Sequence, residues 1–515
     1  MSCTSIAFLS NTITKPFDRF FKGYSTTHYP LDSVIEQLYN GPKEEVVFIL
    51  LDYSFFKHDF SILKNAIKAF RKNSNSKIII NTVSNTFYDI YMPYTMQQEV
   101  ALTKLNTQIV SLSTEYTNIA ILDFSTLVKE YGYKNLINEK NRYLFQTPYT
   151  KLALELISYK LIELISLFET TRIKAIAVDA DNTLWGGIVG EDGIYALHID
   201  NNYPGIIYTK FQEYLLALKE SGIVLILLSK NDEHLLKKVF EIKDMPLSLT
   251  DFVAISVNWN SKSENLHTIL QKLRLTTNNI IFLDDSDTEI SEMQERMKIT
   301  SYKMHPENPL ENIKTLQQIP TLKALNLTQE DYKKTKLYKD EHSRTLLHET
   351  LGTKEDFIAS LQIKITVKLN EKNHLQRITQ LINKTNQFNL TTRRYTLAQV
   401  EEFMHTAKVY DFNVKDKFGD MGLVGVVIVK ENTIDSFLMS CRVLGRSIEE
   451  SILAFVTQEH PLVNALFIPT TKNSLVENFY DNNGFIMTHK KNSTKHYKFI
   501  KNVDSNKYIE VKYDN

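Results

Sequence analysis

Apolar runs alternate with amphipathic stretches along the first 165 residues, and this alternation predicts an α/β segment. The runs at 5–9, 46–51, 78–81 and 119–123 predict strands. Helical patterns lie between them, and strands that alternate with helices form a mostly parallel sheet. A further helix, predicted over 150–168, leads into the next segment.

The central segment, residues 170–325, contains three apolar runs that predict buried strands. Each run leads into polar residues: 173–178 into Asp179 and Asp181, 223–228 into Ser229, and 280–283 into Asp284 and Asp285. Lys262 lies on a polar stretch between the last two runs. Because open α/β sheets place their chemistry at the carboxyl ends of strands, we expect these side chains to form one site.

The first of these strand ends carries a pair of aspartates. Side chains two residues apart on a strand point to the same side, so the carboxylates of Asp179 and Asp181 meet. One can attack phosphorus while the other acts as general acid and base, and their repulsion predicts a divalent cation. With Thr183 they resemble the nucleophile loop of the haloacid dehalogenase (HAD) superfamily, which includes many Mg²⁺-dependent phosphatases and phosphotransferases. A solvated turn that ends a strand is the alternative for this short motif alone.

The remaining polar residues suit the same chemistry. The Ser229 hydroxyl is suited to a hydrogen bond with a transferred phosphoryl group, and Lys262 is suited to balancing the charge of phosphate and nucleophile. Asp284 and Asp285 offer the oxygen ligands that Mg²⁺ prefers. Together, these residues favour a phosphoryl-transfer site over the solvated turn.

The spacing of these motifs leaves no room for a large cap domain. Residues 184–228 must include a crossover helix, and the intervals between Ser229, Lys262 and Asp284 are short. We therefore expect a site that is open to solvent. An open site favours a substrate tethered to a protein, or another macromolecular substrate, over a small free metabolite.

From about residue 355 the pattern changes to that of an α+β domain. Strands are predicted at 363–367, 408–413, 422–430 and 433–441, with helices near 374–384 and 397–406. The last two strands form a predicted hairpin with Glu431 and Asn432 at its turn.

A phosphate-binding loop is predicted after this hairpin. Arg442, Gly445 and Ser447 fit the pattern Arg-x-x-Gly-x-small, and such a loop presents N–H groups and a helix N-terminus to an anion. It resembles the coenzyme A loop of the GCN5-related N-acetyltransferases (the GNAT fold). Glu449 and Glu450 would offset its charge, which favours the single phosphate of a phosphopantetheine arm over free coenzyme A. An ordinary strand–helix turn is the alternative.

Cys441 is expected on the strand before this loop, where its thiol would lie near a pantetheine thiol. A reactive thiolate needs a positive neighbour, and Arg442 and Arg446 are candidates. A buried, unreactive cysteine is the alternative. The basic run at 489–501 predicts an exposed strand rather than a nucleic-acid site, although an acidic acyl carrier protein would suit it.

Composition narrows the class of protein. The chain has sixty basic and sixty acidic residues, so its net charge is zero. Net charge therefore gives no indication of a nucleic-acid or membrane partner. No apolar run is long enough for a membrane span, and the first residues lack the features of a signal peptide, so a cytoplasmic location is expected. With two cysteines, Cys3 and Cys441, a disulfide framework is excluded.

Seven stretches in order resemble motifs of the FkbH-like proteins: DNTLWGG, LLSKND, NWNSKSEN, FLDDSDTE, TNQFNLTTRRYT, FGDMGLVG and MSCRVLGRSIEE. The resemblance implies an α/β protein of three domains. These are an SGNH hydrolase-like parallel α/β domain (1–165), a HAD-like Rossmannoid domain without a large cap (170–325) and a GNAT-like α+β domain (355–515). Characterised members take 1,3-bisphosphoglycerate, remove phosphate and load a glyceryl unit onto an acyl carrier protein.

The resemblance also implies residue roles. Asp179 would be the nucleophile, Asp181 the acid and base, and Cys441 the carrier of an acyl thioester. The implied phosphate-binding residues are Thr183, Ser229 and Lys262, the implied Mg²⁺ ligands are Asp179, Asp181, Asp284 and Asp285, and the implied pantetheine or coenzyme A loop contains Arg442, Gly445, Arg446 and Ser447.

Two departures from the family pattern stand out. Ser286 and Asp287 replace the Asn and Pro that often follow the Asp pair. The Gly-Asp-Ser nucleophile motif of the SGNH hydrolases is absent, with residues 10–12 (Ser-Asn-Thr) in its place, so we expect no esterase activity from the first domain. Two alternatives to acyl loading stay open: a phosphatase of another phosphorylated metabolite or sugar, and a carrier-protein docking scaffold with a silent site.

Overall fold

A computed structural model describes residues 4–57, 60–84, 96–116, 118–325, 327, 331–351, 353–501, 503 and 506–514. The described residues form two compact units, which we call the N-terminal unit (up to Lys339, without residues 71–73) and the C-terminal unit (from Asp340, with residues 71–73). The N-terminal unit contains two separate sheets, and the C-terminal unit contains one.

The first sheet is entirely parallel, with the strand order β2-β1-β3-β4-β5. Its strands are β1 (Ser5–Ser10), β2 (Ser25–His28), β3 (Val46–Leu50), β4 (Lys77–Asn81) and β5 (Ile119–Leu122). Its helices are α1 (Val34–Asn40), α2 (Phe60–Asn73), α3 (Met96–Glu115), α4 (Phe124–Tyr131), α5 (Tyr133–Leu136), α6 (Glu139–Phe145) and α7 (Lys151–Glu169). The four predicted strands are confirmed. Alternate residues of β1 enter cores on opposite faces, as in a sheet covered on both sides.

The second sheet, which carries the predicted phosphate chemistry, is also parallel and has the order β10-β9-β6-β7-β8. Its strands are β6 (Ala175–Val178), β7 (Val224–Ser229), β8 (Phe252–Val257), β9 (Ile280–Asp284) and β10 (Thr300–Lys303). Its helices are α8 (Val189–Asp192), α9 (Gly205–Glu220), α10 (Glu233–Ile242), α11 (Lys262–Leu273), α12 (Asp287–Met297) and α13 (Pro309–Gln318). The central strands β6, β7 and β9 are completely buried, so their carboxyl ends emerge from a rigid core.

Residues 184–228 form no separate domain. After the loop that follows β6 they contain only α8, a 3₁₀ turn at Ile194–Ala196 and the crossover helix α9 before β7 begins. The site is therefore uncapped within this stretch, as the spacing predicts.

The C-terminal unit contains a nine-stranded sheet with the order β17-β18-β16-β15-β14-β13-β11-β19, and β12 pairs with β15. Its strands are β11 (Lys364–Leu369), β12 (Phe388–Asn389), β13 (Lys408–Lys415), β14 (Asp420–Lys430), β15 (Thr433–Met439), β16 (Asn464–Phe467), β17 (Phe485–Lys491), β18 (Thr494–Phe499) and β19 (Glu510–Tyr513). The helices that follow α13 along the chain are α14 (Lys334–Thr350), α15 (Lys354–Leu361), α16 (Leu375–Lys384), α17 (Leu397–Thr406) and α18 (Ile448–Glu459).

The parallel strands β15 and β16 pair only where they begin. Thr433 faces Asn464 and Ile434 faces Ala465, after which the strands diverge. The short strand β12 lies in the resulting gap and pairs with Leu438 and Met439 of β15.

The predicted hairpin at 422–441 is confirmed except at its end. Both turn residues, Glu431 and Asn432, have positive φ, as a tight hairpin turn requires. Strand β15 ends at Met439, so Cys441 is not on the strand. The chain turns after Ser440, whose carbonyl accepts the Val443 N–H, and Cys441 opens a 3₁₀ turn. Among the described residues, no helix has the length and apolar character needed to cross a membrane.

Candidate active site

Asp179, Lys262 and Asp284 meet at the carboxyl edge of the second sheet. Asp179 directly follows β6, Asp284 is the last residue of β9, and Lys262 is the first residue of α11. The Lys262 Nζ lies 2.8 Å from Asp179 Oδ1 and 2.6 Å from Asp284 Oδ2. All three side chains are more than nine-tenths buried, so the lysine charge acts on both carboxylates with little screening.

Three carboxylates in this cluster are close enough to share one cation. Oxygen atoms of Asp179, Asp284 and Asp285 lie within 4.8 Å of one another. Mg²⁺ binds oxygen at about 2.1 Å in octahedral geometry, so two of its ligand atoms lie about 3 to 4 Å apart. The donor set and its spacing therefore fit Mg²⁺.

The carboxylate of Asp181 lies outside this group and is held by three donors. The Trp185 indole N–H donates to Oδ1 at 2.8 Å, the Val189 backbone N–H donates to the same oxygen at 3.2 Å, and the Asn231 amide donates to Oδ2 at 2.9 Å. Burial raises the pKa of Asp181, although the hydrogen bonds from Trp185 and Val189 oppose the shift. A raised pKa and a fixed orientation are what a general acid requires.

The pKa values of two further acids at this edge of the sheet shift in the same direction as that of Asp181. Burial and the charge of Asp179 raise the pKa values of Asp284 and Asp285. Burial lowers the pKa of Lys262, but the charges of Asp179 and Asp284 outweigh burial, and its pKa is raised overall. Lys262 is therefore a permanent cation in this cluster.

The loop after Asp179 is closed by backbone geometry. Asn182 adopts a left-handed conformation, with φ of 55°, and its side-chain oxygen accepts the Gly187 N–H at 3.0 Å. At Gly186 a Cβ atom would lie 2.8 Å from a ring carbon of Tyr208, so the close approach requires glycine. This tight turn allows Asp181 and the Val189 N–H to meet.

Thr183 and Ser229 are both buried at this edge of the sheet. The Thr183 hydroxyl is sealed from solvent and has no hydrogen-bond partner among the described residues. Ser229 is the last residue of β7, and its carbonyl accepts the Asn258 N–H. Phosphate binding by these two hydroxyls stays a prediction.

Polar side chains fix the start of α11 and thereby the position of Lys262. The hydroxyls of Ser261 and Ser263 both donate to Glu292 Oε1, at 2.5 and 2.7 Å. Asn258 accepts the Asn260 N–H and the Asn265 amide. Trp259, in the turn between these contacts, is 74% exposed.

Asn231 and Trp185 hold the carboxylate of Asp181 and were not predicted as site residues. Asn231 lies two residues after Ser229, the last residue of β7. This position beside a predicted site residue was the one signal in the sequence that Asn231 belongs to the site. Trp185 lies four residues after Asp181 and is completely buried. Only the folded loop shows that its indole faces the carboxylate.

In the C-terminal unit, Cys441 is exposed and free, whereas the predicted anion loop is engaged by the chain itself. The Gly445 N–H donates to Glu449 Oε1 at 2.9 Å. Arg446 is buried and contacts both oxygens of Glu341, at 2.5 and 2.6 Å. Arg442 donates to the Met421 carbonyl at 2.7 Å. Ser447, at the N-cap of α18, forms no side-chain cap.

The carboxyl edge of the first sheet contains no Gly-Asp-Ser motif, and the polar residues there hydrogen-bond to one another. The Ser10 hydroxyl donates to the Leu50 carbonyl at 2.6 Å. Asn11 and Asp52 form reciprocal hydrogen bonds of 2.8 and 3.0 Å, and Arg142 pairs with Asp52 at 2.5 Å. A partly buried ion pair therefore lies beside residues 10–12.

No protein-family model and no curated protein matches the chain. Among solved structures, the chain is similar to the N-terminal part of a Bacteroides fragilis protein that contains a phosphatase domain and was crystallised in complex with Mg. The identity is 22%, the TM-score is 0.48, and the match covers 64% of this chain and 96% of that one. A pyruvate reductase of Chlamydomonas reinhardtii gives 8% identity and a TM-score of 0.13 over 67% of this chain and 97% of that one. Neither TM-score supports a conclusion about fold or function.

Proposed function

We propose that the N-terminal unit is a Mg²⁺-dependent phosphatase of the HAD type. The observation that carries the proposal is the cluster in which Lys262 contacts both Asp179 and Asp284 while three carboxylates are spaced for one cation. Metal-assisted phosphoryl transfer needs a nucleophile, a cation site and a fixed positive charge at one place. The same cluster argues against a docking scaffold with a silent site.

Each residue of the site has its own role in the proposed reaction. An oxygen of Asp179 attacks phosphorus, the bond from phosphorus to the leaving oxygen breaks, and Asp181 donates its proton to that oxygen. Asp181 then takes a proton from water, which attacks the aspartyl phosphate and releases inorganic phosphate and free Asp179. A Mg²⁺ ion held by Asp179, Asp284 and Asp285 would neutralise charge on the phosphoryl group, and Lys262 contributes a second positive charge beside it.

The finer proposal assigns an acyl transfer to the C-terminal unit. The Cys441 thiolate attacks the acyl carbon of a three-carbon acyl phosphate such as 1,3-bisphosphoglycerate, the bond to the carboxyl phosphate breaks, and phosphate leaves. The thiolate of a carrier protein then attacks the thioester, and the Cys441 sulfur leaves and is protonated. The N-terminal unit removes the remaining phosphate ester. The exposed, free thiol supports this assignment.

Charge on the C-terminal hairpin supports an acidic carrier protein as partner. The segment 485–501, which we call the basic hairpin, contains five lysines and two histidines but no acidic residue, in a chain whose charges balance overall. Strand β17 is at the edge of the sheet, and six of its seven residues are exposed. Lys495 forms an ion pair with Glu477.

One experiment separates the two chemistries. The full chain is incubated with Mg²⁺, 1,3-bisphosphoglycerate and a phosphopantetheinylated carrier protein, and the carrier is weighed by mass spectrometry. The wild type should add a glyceryl unit to the carrier protein. Asp179→Asn should add a phosphoglyceryl unit, and Cys441→Ala should leave the mass of the carrier unchanged. The matched control is Asp287→Asn, because Asp287 is an exposed acid near the site but outside the carboxylate cluster.

Two outcomes would contradict parts of the proposal. Loading that persists in Cys441→Ala excludes the thioester route. Hydrolysis of phosphate esters that persists in Asp179→Asn excludes the HAD-type mechanism. If Asp179 is required for ester hydrolysis but no carrier is loaded, the N-terminal unit is a phosphatase of another metabolite.

A further inference from the structure

The loop before α18 already holds a carboxyl group, which comes from the chain itself. The Gly445 N–H donates to Glu449 Oε1, and Glu449 lies in the first turn of the helix. A carboxylate at this position takes an N–H and the positive end of a helix that would otherwise be offered to a phosphate.

Glu449 is fixed in this position by burial. The residue is only 9% exposed, and its second oxygen, Oε2, is sealed from solvent without a hydrogen-bond partner among the described residues. The next residue, Glu450, adds a second acid to the same turn. A phosphate entering the loop would find the Gly445 N–H taken by Glu449 and would meet a second acid beside it, and juxtaposed like charges oppose binding.

The arginines beside the loop are directed to other partners. Arg446 is 2% exposed and contacts both carboxylate oxygens of Glu341. Arg442 donates to the Met421 carbonyl. Removing Arg446 from Glu341 to contact a ligand would leave a buried carboxylate, which is costly.

The strand edge beside Cys441 is also taken by the chain. Beyond Ile434, the edge of β15 pairs with Phe388 and Asn389, and the Leu390 N–H donates to the Phe437 carbonyl at 3.0 Å. The Leu390 carbonyl in turn accepts the Ile468 N–H at 2.8 Å. An extended ligand such as a pantetheine arm therefore finds no open backbone edge along this part of β15.

We infer that Glu449 is a specificity-determining residue that closes the Cys441–Ser447 loop to phosphate groups, so that this unit discriminates against coenzyme A. The molecule that supplies the acceptor thiol must then be recognised through groups other than a phosphate bound in this loop. A carrier protein offers such groups on its own surface. The inference rests on the proposed function only in treating Cys441 as the acyl-bearing thiol.

Protection of Cys441 from alkylation tests this inference directly. The full chain is treated with iodoacetamide at increasing concentrations of desulfo-coenzyme A, which lacks the thiol, and labelling is quantified on the peptide that contains Cys441. The wild type should show no protection. In Glu449→Ala, desulfo-coenzyme A should protect the Cys441 thiol. The apparent Kd for desulfo-coenzyme A should be at least about tenfold lower than in the wild type, or than the lower limit set for the wild type, which is equivalent to about 1.4 kcal/mol.

Two further variants separate the effect of the negative charge from the effect of the Glu449 side chain filling the loop. Glu449→Gln keeps a side chain of the same size in the loop and should give less protection than Glu449→Ala. Glu450→Ala is the matched control, since it removes an acid from the same turn without freeing the Gly445 N–H, and it should gain much less protection than Glu449→Ala. Circular dichroism verifies that each variant is folded.

The inference is overturned if desulfo-coenzyme A protects the wild type as well as Glu449→Ala. It is also overturned if folded Glu449→Ala gains no protection, or if Glu450→Ala gains as much. Because this readout requires neither phosphate release nor acyl loading, its failure is distinct from a failure of the proposed function.

Discussion

The Lys262 ammonium lies 2.8 Å from the Asp179 carboxylate, and both side chains are more than nine-tenths buried. The same nitrogen is 2.6 Å from Asp284. Lys262 thus orients the proposed nucleophile, Asp179. It also neutralises part of the negative charge of the carboxylates, as a bound cation would. Because α11 begins at Lys262, the position of this charge depends on how the helix start is fixed.

Replacement of Lys262 by methionine should lower kcat for phosphate release by about 10²- to 10³-fold, since a preorganised charge beside the transferred group is lost. The variant also leaves buried carboxylates without their counterion, so its melting temperature should fall and recover in part when Mg²⁺ is added. Phosphate release and thermal melting with and without Mg²⁺ measure the two effects.

The control for this variant is Lys303→Met, because Lys303 forms an exposed ion pair with Asp287 near the same strand ends. It should leave both quantities nearly unchanged. Activity in Lys262→Met equal to that of the control would exclude a catalytic role for the Lys262 charge.

Replacement of Asp181 by asparagine should have effects that depend on the leaving group. A carboxylate leaves acetyl phosphate without a proton, whereas the alkoxide of 3-phosphoglycerate needs one. Rapid-quench measurements should therefore show that Asp181→Asn retains the first turnover with acetyl phosphate and loses it with 3-phosphoglycerate. Equal losses with both substrates would show that Asp181 is not the general acid.

Mg²⁺ binding should strengthen as the pH rises. Burial and the Asp179 charge raise the pKa values of Asp284 and Asp285, so in the metal-free protein these acids contribute stability at low pH that is lost as the pH rises through their folded-state pKa values. Mg²⁺ binds only the ionised forms. The increase in melting temperature caused by Mg²⁺ should thus be small near pH 5 and large near pH 8. An increase that is independent of pH would contradict binding at these acids.

Arg446 should be structurally essential in the C-terminal unit. Arg446→Met leaves the Glu341 carboxylate with a weaker partner, Arg344 at 3.5 Å, and should lower the free energy of unfolding by about 3 kcal/mol. Lys364→Met, which removes an exposed ion pair with Glu510, should cost less than about 1 kcal/mol. Urea denaturation followed by circular dichroism measures both. Similar values for the two variants would show that the buried pair adds no stability.

Charge reversal on the basic hairpin should weaken carrier loading. The double variant Lys490→Glu/Lys491→Glu should raise the KM for an acidic carrier protein and leave ester hydrolysis unchanged, because the residues of the phosphate site all belong to the N-terminal unit and none to the hairpin. Lys372→Glu/Lys408→Glu, which reverses two exposed charges elsewhere in the same unit, is the control. If both double variants change KM equally, the effect is one of net charge and not of the hairpin.

Much of the fold follows from apolar periodicity, and two edge strands show where this signal is missing. The buried strands β1, β6, β7 and β9 are continuous apolar runs. Strands β2, with sequence STTH, and β10, with sequence TSYK, have no apolar run and were not predicted. Both are at sheet edges and partly exposed, so burial imposes no apolar pattern on them.

The candidate site could be predicted where a side chain's role depends on its place at a strand end, as for Asp179, Ser229 and Asp284. Contacts that form only after folding were not predictable. The hydrogen bond from Asn231 to Asp181 joins two different strand ends, and Thr183 became sealed within the core. The acidic residues after the loop indicated a weakened anion site, but the contact between Glu449 and Gly445 could be known only from the structure.

Detection of a phosphate group covalently bound to Asp179 is the decisive test of the proposed phosphatase mechanism. Asp181→Asn, which cannot activate water for the second step, is reacted with acetyl phosphate, quenched in acid and mapped by peptide mass spectrometry. A phosphorylated Asp179 should form with Mg²⁺ but not with EDTA, and it should be absent from the Asp179→Asn/Asp181→Asn variant. Phosphate on another residue, or phosphate release with no modification of Asp179, would contradict this mechanism.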